Sequence, residues 1–142
     1  MKGIDIAEKF IGKHERRDTA ELRAFFKKYS VDNDIYINPA LIPWCAAFVN
    51  ACERAVGNKG TGKLNARSFL QYGTPVDIKD AQRGDICIFK RGASAWEGHV
   101  SYYNEKISVQ FLRCIGGNQM NEVNIRNYPK DHLLGIRRPP IK

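Results

Sequence analysis

Long apolar runs are missing from this 142-residue chain. No stretch approaches the ~18 consecutive apolar residues that a membrane-spanning helix requires, so membrane insertion is not expected. Met1 to Lys9 intersperses charges with apolar side chains where an export signal needs an unbroken apolar stretch. Synthesis in the cytoplasm is therefore expected. Histidine is scarce, at three residues, and the four cysteines (Cys45, Cys52, Cys87 and Cys114) form no C-x-x-C pair. That excludes a zinc ribbon and a thioredoxin-type redox motif, and neither a metal nor another cofactor is expected. Without an export signal disulfides are not expected, and the default for each thiol is a small buried apolar side chain.

Acidic residues are also in deficit, 15 against 23 basic ones, for a net charge of +8. Such a balance serves solubility, and it also favours an anionic partner such as nucleic acid, a membrane surface or an acidic cell-envelope polymer. The cations are spread along the chain and no arginine-rich helix stands out, so a dedicated nucleic-acid reader is not expected. Apolar residues at 43% and charged residues at 27% argue against disorder. A chain of this length buries roughly 68–70% of its unfolded surface, and residues 1–142 read as one domain and a monomer.

The first half reads helical. Ile4, Ile6, Ala7, Phe10 and Ile11 recur at helical spacing and Gly12 is a stop. A second helix is expected from about Thr19 to Tyr29, with Asp18 as cap and Leu22, Phe25 and Phe26 as its apolar stripe. Ser30 to Pro43 reads as a loop, and a third helix runs from near Trp44 to about Val56. After a short helix over Leu64 to Tyr72 the pattern changes to strands: Asp85–Lys90, His99–Tyr103 and Ile107–Leu112, with weaker runs at Glu122–Arg126 and Leu133–Arg137. Helices first and antiparallel strands afterwards indicate an α+β fold.

Gly57-Asn58-Lys59-Gly60-Thr61-Gly62-Lys63-Leu64 nearly spells a phosphate-binding loop, but Leu64 stands where the magnesium-binding hydroxyl belongs. The segment also follows a helix rather than a strand. It reads as a turn.

Three residues carry candidate chemistry. Cys45 falls in the first turn of the third helix, where exposed N–H groups and the helix dipole favour a thiolate. Cys52, two turns on, lies on the face that packs inward and reads as core. Of the histidines, His14 sits among charged residues at an expected solvated helix end and His132 lies in a turn. His99 opens a strand, so its imidazole can reach a thiol at a neighbouring helix end. The alternative is a polar residue at a strand edge. Asn118, in Gly116-Gly117-Asn118-Gln119, could accept from the second ring nitrogen of His99 and fix its tautomer; by spacing alone the segment is simply a turn.

Six blocks occur in a telling order: Pro43-Trp44-Cys45-Ala46-Ala47-Phe48-Val49-Asn50, Ala66-Arg67-Ser68-Phe69-Leu70, Gly84-Asp85-Ile86-Cys87-Ile88-Phe89, Trp96-Glu97-Gly98-His99-Val100, Gly116-Gly117-Asn118-Gln119 and Leu133-Leu134-Gly135-Ile136-Arg137-Arg138. Together they resemble the CHAP branch (cysteine, histidine-dependent amidohydrolase/peptidase) of the NlpC-type cell-wall peptidases, over nearly the whole chain. The resemblance implies a papain-like core with a nucleophilic cysteine on a helix packed against an antiparallel sheet. It implies Cys45 as nucleophile, His99 as general base and then acid, and Asn118 as the residue orienting His99. Many such domains have a glutamate two residues before that asparagine; here the position is Gly116. The third position therefore stays open between Asn118 and Gln119, with Glu97 as an outside candidate. The backbone N–H of Cys45 is the natural first oxyanion donor.

The implied substrate is bacterial peptidoglycan, cut at a stem or crossbridge peptide bond or at the muramoyl–alanine amide. Trp44, Trp96 and Gln119 are candidate substrate contacts. Stand-alone relatives of this kind occur in phages and prophages, which points to an endolysin acting on the wall after release. An antibacterial effector toxin with the same chemistry, or a non-catalytic basic module that binds cell wall or nucleic acid, are the alternatives.

Overall fold

The computed structural model describes residues 1–29, 38–39 and 43–140, so most of the loop expected between Ser30 and Pro43 lies outside the described residues. Three helices come first, α1 (Gly3–Glu8), α2 (Thr19–Lys28) and α3 (Cys45–Ala55). A 3-10 helix over Ala66–Gln71 leads into six strands: β1 (Thr74–Val76), β2 (Ile86–Lys90), β3 (Gly98–Lys106), β4 (Phe111–Gln119), β5 (Glu122–Pro129) and β6 (Leu133–Arg138). The strands form one antiparallel sheet in the order β1-β6-β2-β3-β4-β5. The fold is α+β, with N-terminal helices packed against a six-stranded antiparallel sheet. No helix among the described residues is long and apolar enough to cross a membrane.

Period-two alternation divides the sheet into two apolar faces. Ile86, Ile88, Val100, Tyr102 and Ile115 meet the helices, where Leu22, Phe26, Trp44, Phe48 and Val49 complete the main core. Cys87, Phe89, Tyr103, Leu112, Cys114 and Ile136 form a smaller core on the opposite face. The buried Asp85 receives Nε and Nη2 of Arg138 at 3.0 and 2.9 Å, which ties the end of β6 to the start of β2.

The details depart from expectation in places. α1 stops at Glu8, and the chain continues through turns to Gly12, whose N–H goes to the Val123 carbonyl at 2.8 Å. His14 is not at a solvated helix end: it bridges Glu122 and is half-buried. Asp18 does not cap α2, because its carboxylate accepts the His14 N–H at 2.9 Å instead. The expected strand Ile107–Leu112 is split by a hairpin tip. Ser108 Oγ accepts the N–H groups of Gln110 and Phe111, each at 3.2 Å, so a local hydroxyl overrides the β propensity of Ile107 and Val109. Strand β4 therefore begins late and carries Gly116-Gly117-Asn118-Gln119 inside the sheet. The turn expected there lies at Met120–Asn121 (φ 55° and 68°), between the paired residues Gln119 and Glu122.

The Gly-rich segment after α3 is a turn wrapped around one buried side chain. Asn50 Oδ1 accepts the N–H groups of Thr61 (2.7 Å) and Gly62 (3.1 Å), and its Nδ2 donates to Lys63 O at 2.9 Å. A side chain at Gly60, which has φ +67°, would collide with Asn50 Oδ1. The N–H groups a phosphate would need are already taken by an amide oxygen.

Candidate active site

Cys45 is the first residue of α3, with Trp44 as its N-cap. Pro43 and Trp44 bring the chain in, and Phe48, Val49 and Cys52 bury the following turns against the sheet, which fixes where the helix starts. The thiol is only 4% exposed. Backbone N–H groups of Val100, Ala46 and Cys45 lie on the side of the sulfur, and Arg91 adds positive charge. These favour the thiolate, yet burial outweighs them and the net shift of the thiol is upward. The helix end alone had suggested the opposite. A helix terminus stabilises an anion by a fraction of the penalty for moving that anion out of water.

The Val100 N–H is free for the sulfur because the sheet opens at this point. The β3–β4 ladder ends at the pair Tyr102↔Ile115, although both strands run on, β3 back to Gly98 and β4 forward to Gln119. Residues 98–101 and 116–119 thus flank a parting of the sheet, and the N-terminus of α3 meets that parting. His99 stands on one side of it and Gln119 on the other.

His99 is 4% exposed, and its Nε2 lies 2.9 Å from Gln119 Oε1 and 3.0 Å from the Tyr128 hydroxyl. The imidazole stacks on the Tyr128 ring at 4.9 Å, and Tyr128 stacks in turn on Phe89 at 4.8 Å. Nδ1 is buried and has no hydrogen-bond partner among the described residues. Burial, with smaller contributions from Arg91 and Arg126, pushes the imidazole down to about 4 despite the opposing hydrogen bond to Gln119. The ring is therefore neutral at pH 7, and the site at rest holds a thiol and a neutral imidazole.

Which ring nitrogen carries the proton follows from the amides beyond it. Asn124 Nδ2 donates to Gln119 O at 2.9 Å and to Glu122 Oε1 at 3.3 Å, which turns Asn124 Oδ1 towards Gln119. Gln119 Nε2 donates to that Oδ1 and to Asn124 O, both at 2.9 Å. Gln119 Oε1 is left facing His99 as an acceptor, so Nε2 carries the hydrogen and Nδ1 carries the lone pair. The network Glu122–Asn124–Gln119–His99 thus leaves one basic nitrogen in the site, and no other described residue binds it.

The third position expected from sequence falls to Gln119 by geometry. Asn118 makes no hydrogen bond to His99; it occupies the register shift between Gly116 and Gln119 with φ 57°, a left-handed conformation that asparagine tolerates. Glu97 is exposed, and its carbonyl accepts from Arg67 Nε at 2.8 Å. Gly116 has a direct reason to lack a side chain. A Cβ there would stand 2.7 Å from both Gln119 Oε1 and Ser101 Cβ, so Gln119 folds back across this position.

Of the expected substrate contacts, Trp44 is fully buried and its Nε1 donates to Glu15 Oε1 at 3.0 Å, so it is a core residue rather than a cleft wall. Gln119 is also buried and faces the histidine. Trp96, by contrast, is 73% exposed in the turn just before His99. Sequence reasoning missed Tyr128, Arg91 and Arg126. No spacing links them to Cys45 or His99, since β5 reaches the site only through sheet pairing. Among the described residues no group of three or more His, Cys, Asp or Glu is placed to hold a metal.

No protein-family model matches the chain, and no curated protein does. Solved structures similar to it include an NlpC/P60 family protein from Bacillus cereus, at 19% identity and a TM-score of 0.47. The match covers 66% of this chain and 30% of that one.

Proposed function

We propose that the protein hydrolyses an amide bond in bacterial peptidoglycan, with Cys45 as nucleophile and His99 as base and then acid. One observation carries this reading. A buried imidazole with its Nε2 hydrogen fixed by Gln119 presents a Nδ1 lone pair without a partner among the described residues, on the residue before Val100, whose N–H favours the Cys45 thiolate. Most buried side-chain nitrogens have a partner, and a base needs one free.

In the proposed reaction the Cys45 Sγ–H proton passes to His99 Nδ1 as sulfur attacks the carbonyl carbon. The oxyanion is taken by the N–H of Cys45 at the helix end. Nδ1–H then protonates the departing amine nitrogen, the C–N bond breaks and a thioester remains. Water adds to the thioester carbon and gives its proton to Nδ1; the C–S bond breaks, the thiol is regained and a carboxylic acid leaves. Because thiol and imidazole both start neutral, proton transfer accompanies attack. Gln119 acts as a positioning residue throughout, since it keeps the lone pair on Nδ1.

The choice of peptidoglycan draws on the ordered sequence blocks and on the net charge of +8, which suits an anionic envelope polymer. Within that class the proposal is an endolysin-like role. The test compares the wild-type protein with Cys45→Ala on purified peptidoglycan, following turbidity and identifying newly freed amines and acids by mass spectrometry. Fragment release by wild type and none by a folded variant is expected, and the masses name the bond. Equal clearance by both proteins rules the thiol out.

A further inference from the structure

Two guanidiniums beside the site have no partner among the described residues. Arg91 follows directly on β2, whose pairs Phe89↔His99 and Lys90↔Gly98 put it at the mouth of the turn leading back to His99. That turn is held in place by Arg67, which donates to Ser94 O at 2.9 Å and Glu97 O at 2.8 Å. Arg126 lies on β5, two residues before Tyr128 and so on the same face of the strand, and the Tyr128 ring covers the imidazole. Both arginines are exposed, and neither makes a hydrogen bond or ion pair among the described residues. Other arginines are engaged: Arg17 with Asp18, Arg83 with Asp5 and Glu8, Arg113 with Glu105, Arg138 with Asp85. The positive charge of Arg91 is felt at both Cys45 and His99, and that of Arg126 at His99.

Two unpaired cations next to a buried nucleophile raise the local concentration of anions, and a planar guanidinium fork matches a carboxylate. Among the described residues no carboxylate serves them. We infer that Arg91 and Arg126 form a carboxylate subsite, so that the amide cleaved at Cys45 belongs to a substrate with a free carboxylate beside the scissile bond. The inference rests on the reading of Cys45 as the reacting thiol and adds the substrate's charge. The exposed Trp96, in the same turn as Arg91, supplies an apolar surface for the remainder of such a ligand.

The test uses two alkylating reagents of nearly equal shape, iodoacetate and iodoacetamide, in which a carboxylate replaces a carboxamide. Each forms a C–S bond to Cys45 and expels iodide, and the labelled residue is identified by peptide mass mapping. The ratio of the two rates cancels changes in thiol exposure or ionisation. Arg91→Gln and Arg126→Gln are each expected to lower the iodoacetate-to-iodoacetamide ratio on the order of threefold at low ionic strength, and the double variant by their product. Raising the salt should shrink the wild-type ratio in the same direction. An unchanged ratio in the double variant overturns the inference, and so does a Cys45 that neither reagent labels, because no carboxylate could then reach the thiol. Synthetic stem peptides with free or amidated carboxylates separate this result from the peptidase reading. Preference for the free acid, lost in the double variant, supports the subsite. Equal cleavage of both removes the subsite and keeps the peptidase. Cleavage of neither removes the peptidase, while the alkylation ratio still decides the subsite.

Discussion

Two of the polar clusters buried among the described residues differ in which atom they leave over. Around Glu53, buried on α3, the carboxylate is saturated: Tyr72 OH (2.8 Å) and Asn58 Nδ2 (3.0 Å) reach Oε1, and Tyr102 OH (2.7 Å) reaches Oε2, and the atom left over is the outlying Asn58 Oδ1. Burial and the neighbouring Glu53 push both tyrosines well up, so their hydroxyls stay as donors. Gly3 of α1 has no side chain because Tyr102 OH and Glu53 Oε2 fill its place. Around His99 the same kind of satisfaction stops one atom short, at Nδ1. The first cluster joins α1, α3, β3 and the 3-10 helix into one body, and the second leaves a nitrogen of its central side chain open. On the proposed function, a saturated carboxylate is a structural device and the open imidazole nitrogen is the base.

Exchanging the losses is the strongest test of that contrast. Glu53→Ala strands three buried donors and is expected to lower stability by about 3–5 kcal/mol, read from urea unfolding, while surviving folded protein keeps its activity. His99→Ala should do the reverse, reducing kcat by about 10²–10⁴-fold with a much smaller change in unfolding free energy. If His99→Ala proved as destabilising as Glu53→Ala with activity retained, the open cluster would be structural after all.

The pH response distinguishes them further. With His99 at about 4 in the folded protein, activity should fall only as the pH drops through that value. The ordinary imidazole value near 6.5 belongs to the unfolded chain, which therefore binds more protons between roughly pH 6.5 and 4. Stability should rise with pH across that window, by roughly 3 kcal/mol from this group, and the contribution is lost on acidification. Gln119→Glu places a carboxylate on Nε2 and should move the acid limb of kcat/KM upward by a unit or more, on the order of the shifts a close opposite charge produces. An unmoved limb would mean that a group other than His99 sets it. Gly116→Ala approaches the same contact from behind. Its methyl group would crowd Gln119 Oε1 and Ser101, so a drop of about tenfold in kcat is expected with KM little changed.

Much of this was legible in the sequence, for reasons that can be traced. Helix α2 has its apolar stripe at Leu22, Phe25 and Phe26, and α3 its inward face at Phe48, Val49 and Cys52, because both bury one side. Cys45 and His99 stood out as a helix start and a strand start. What stayed hidden depends on register. That Gln119 rather than Asn118 faces His99 is decided by the shift in β4–β5 pairing after Gly116, which local propensity does not encode. Tyr128 and Arg126 reach the site through the pairing of β5, distant in sequence from His99, and Arg91 reaches it through the register of the β2–β3 hairpin. The upward shift of the Cys45 thiol needs the depth of the site, and a motif carries no depth.

The smallest expected effect concerns Tyr128, which touches His99 in two ways: a hydroxyl on Nε2 and a ring against the imidazole face. With Gln119 Oε1 already accepting the Nε2 hydrogen, the hydroxyl is a second acceptor on one proton, so Tyr128→Phe should cost well under ~1 kcal/mol of transition-state stabilisation, a two- to fourfold loss in kcat. Tyr128→Leu also removes the stack that bridges His99 to Phe89, a contact of the kind that contributes about 0.5–1.5 kcal/mol, and should be several-fold worse than Tyr128→Phe. Equal losses in the two variants would place the hydroxyl first and the stack second. In that event Gln119 would share the tautomer with Tyr128, and Gln119→Ala should retain activity that only the double variant with Tyr128→Phe abolishes.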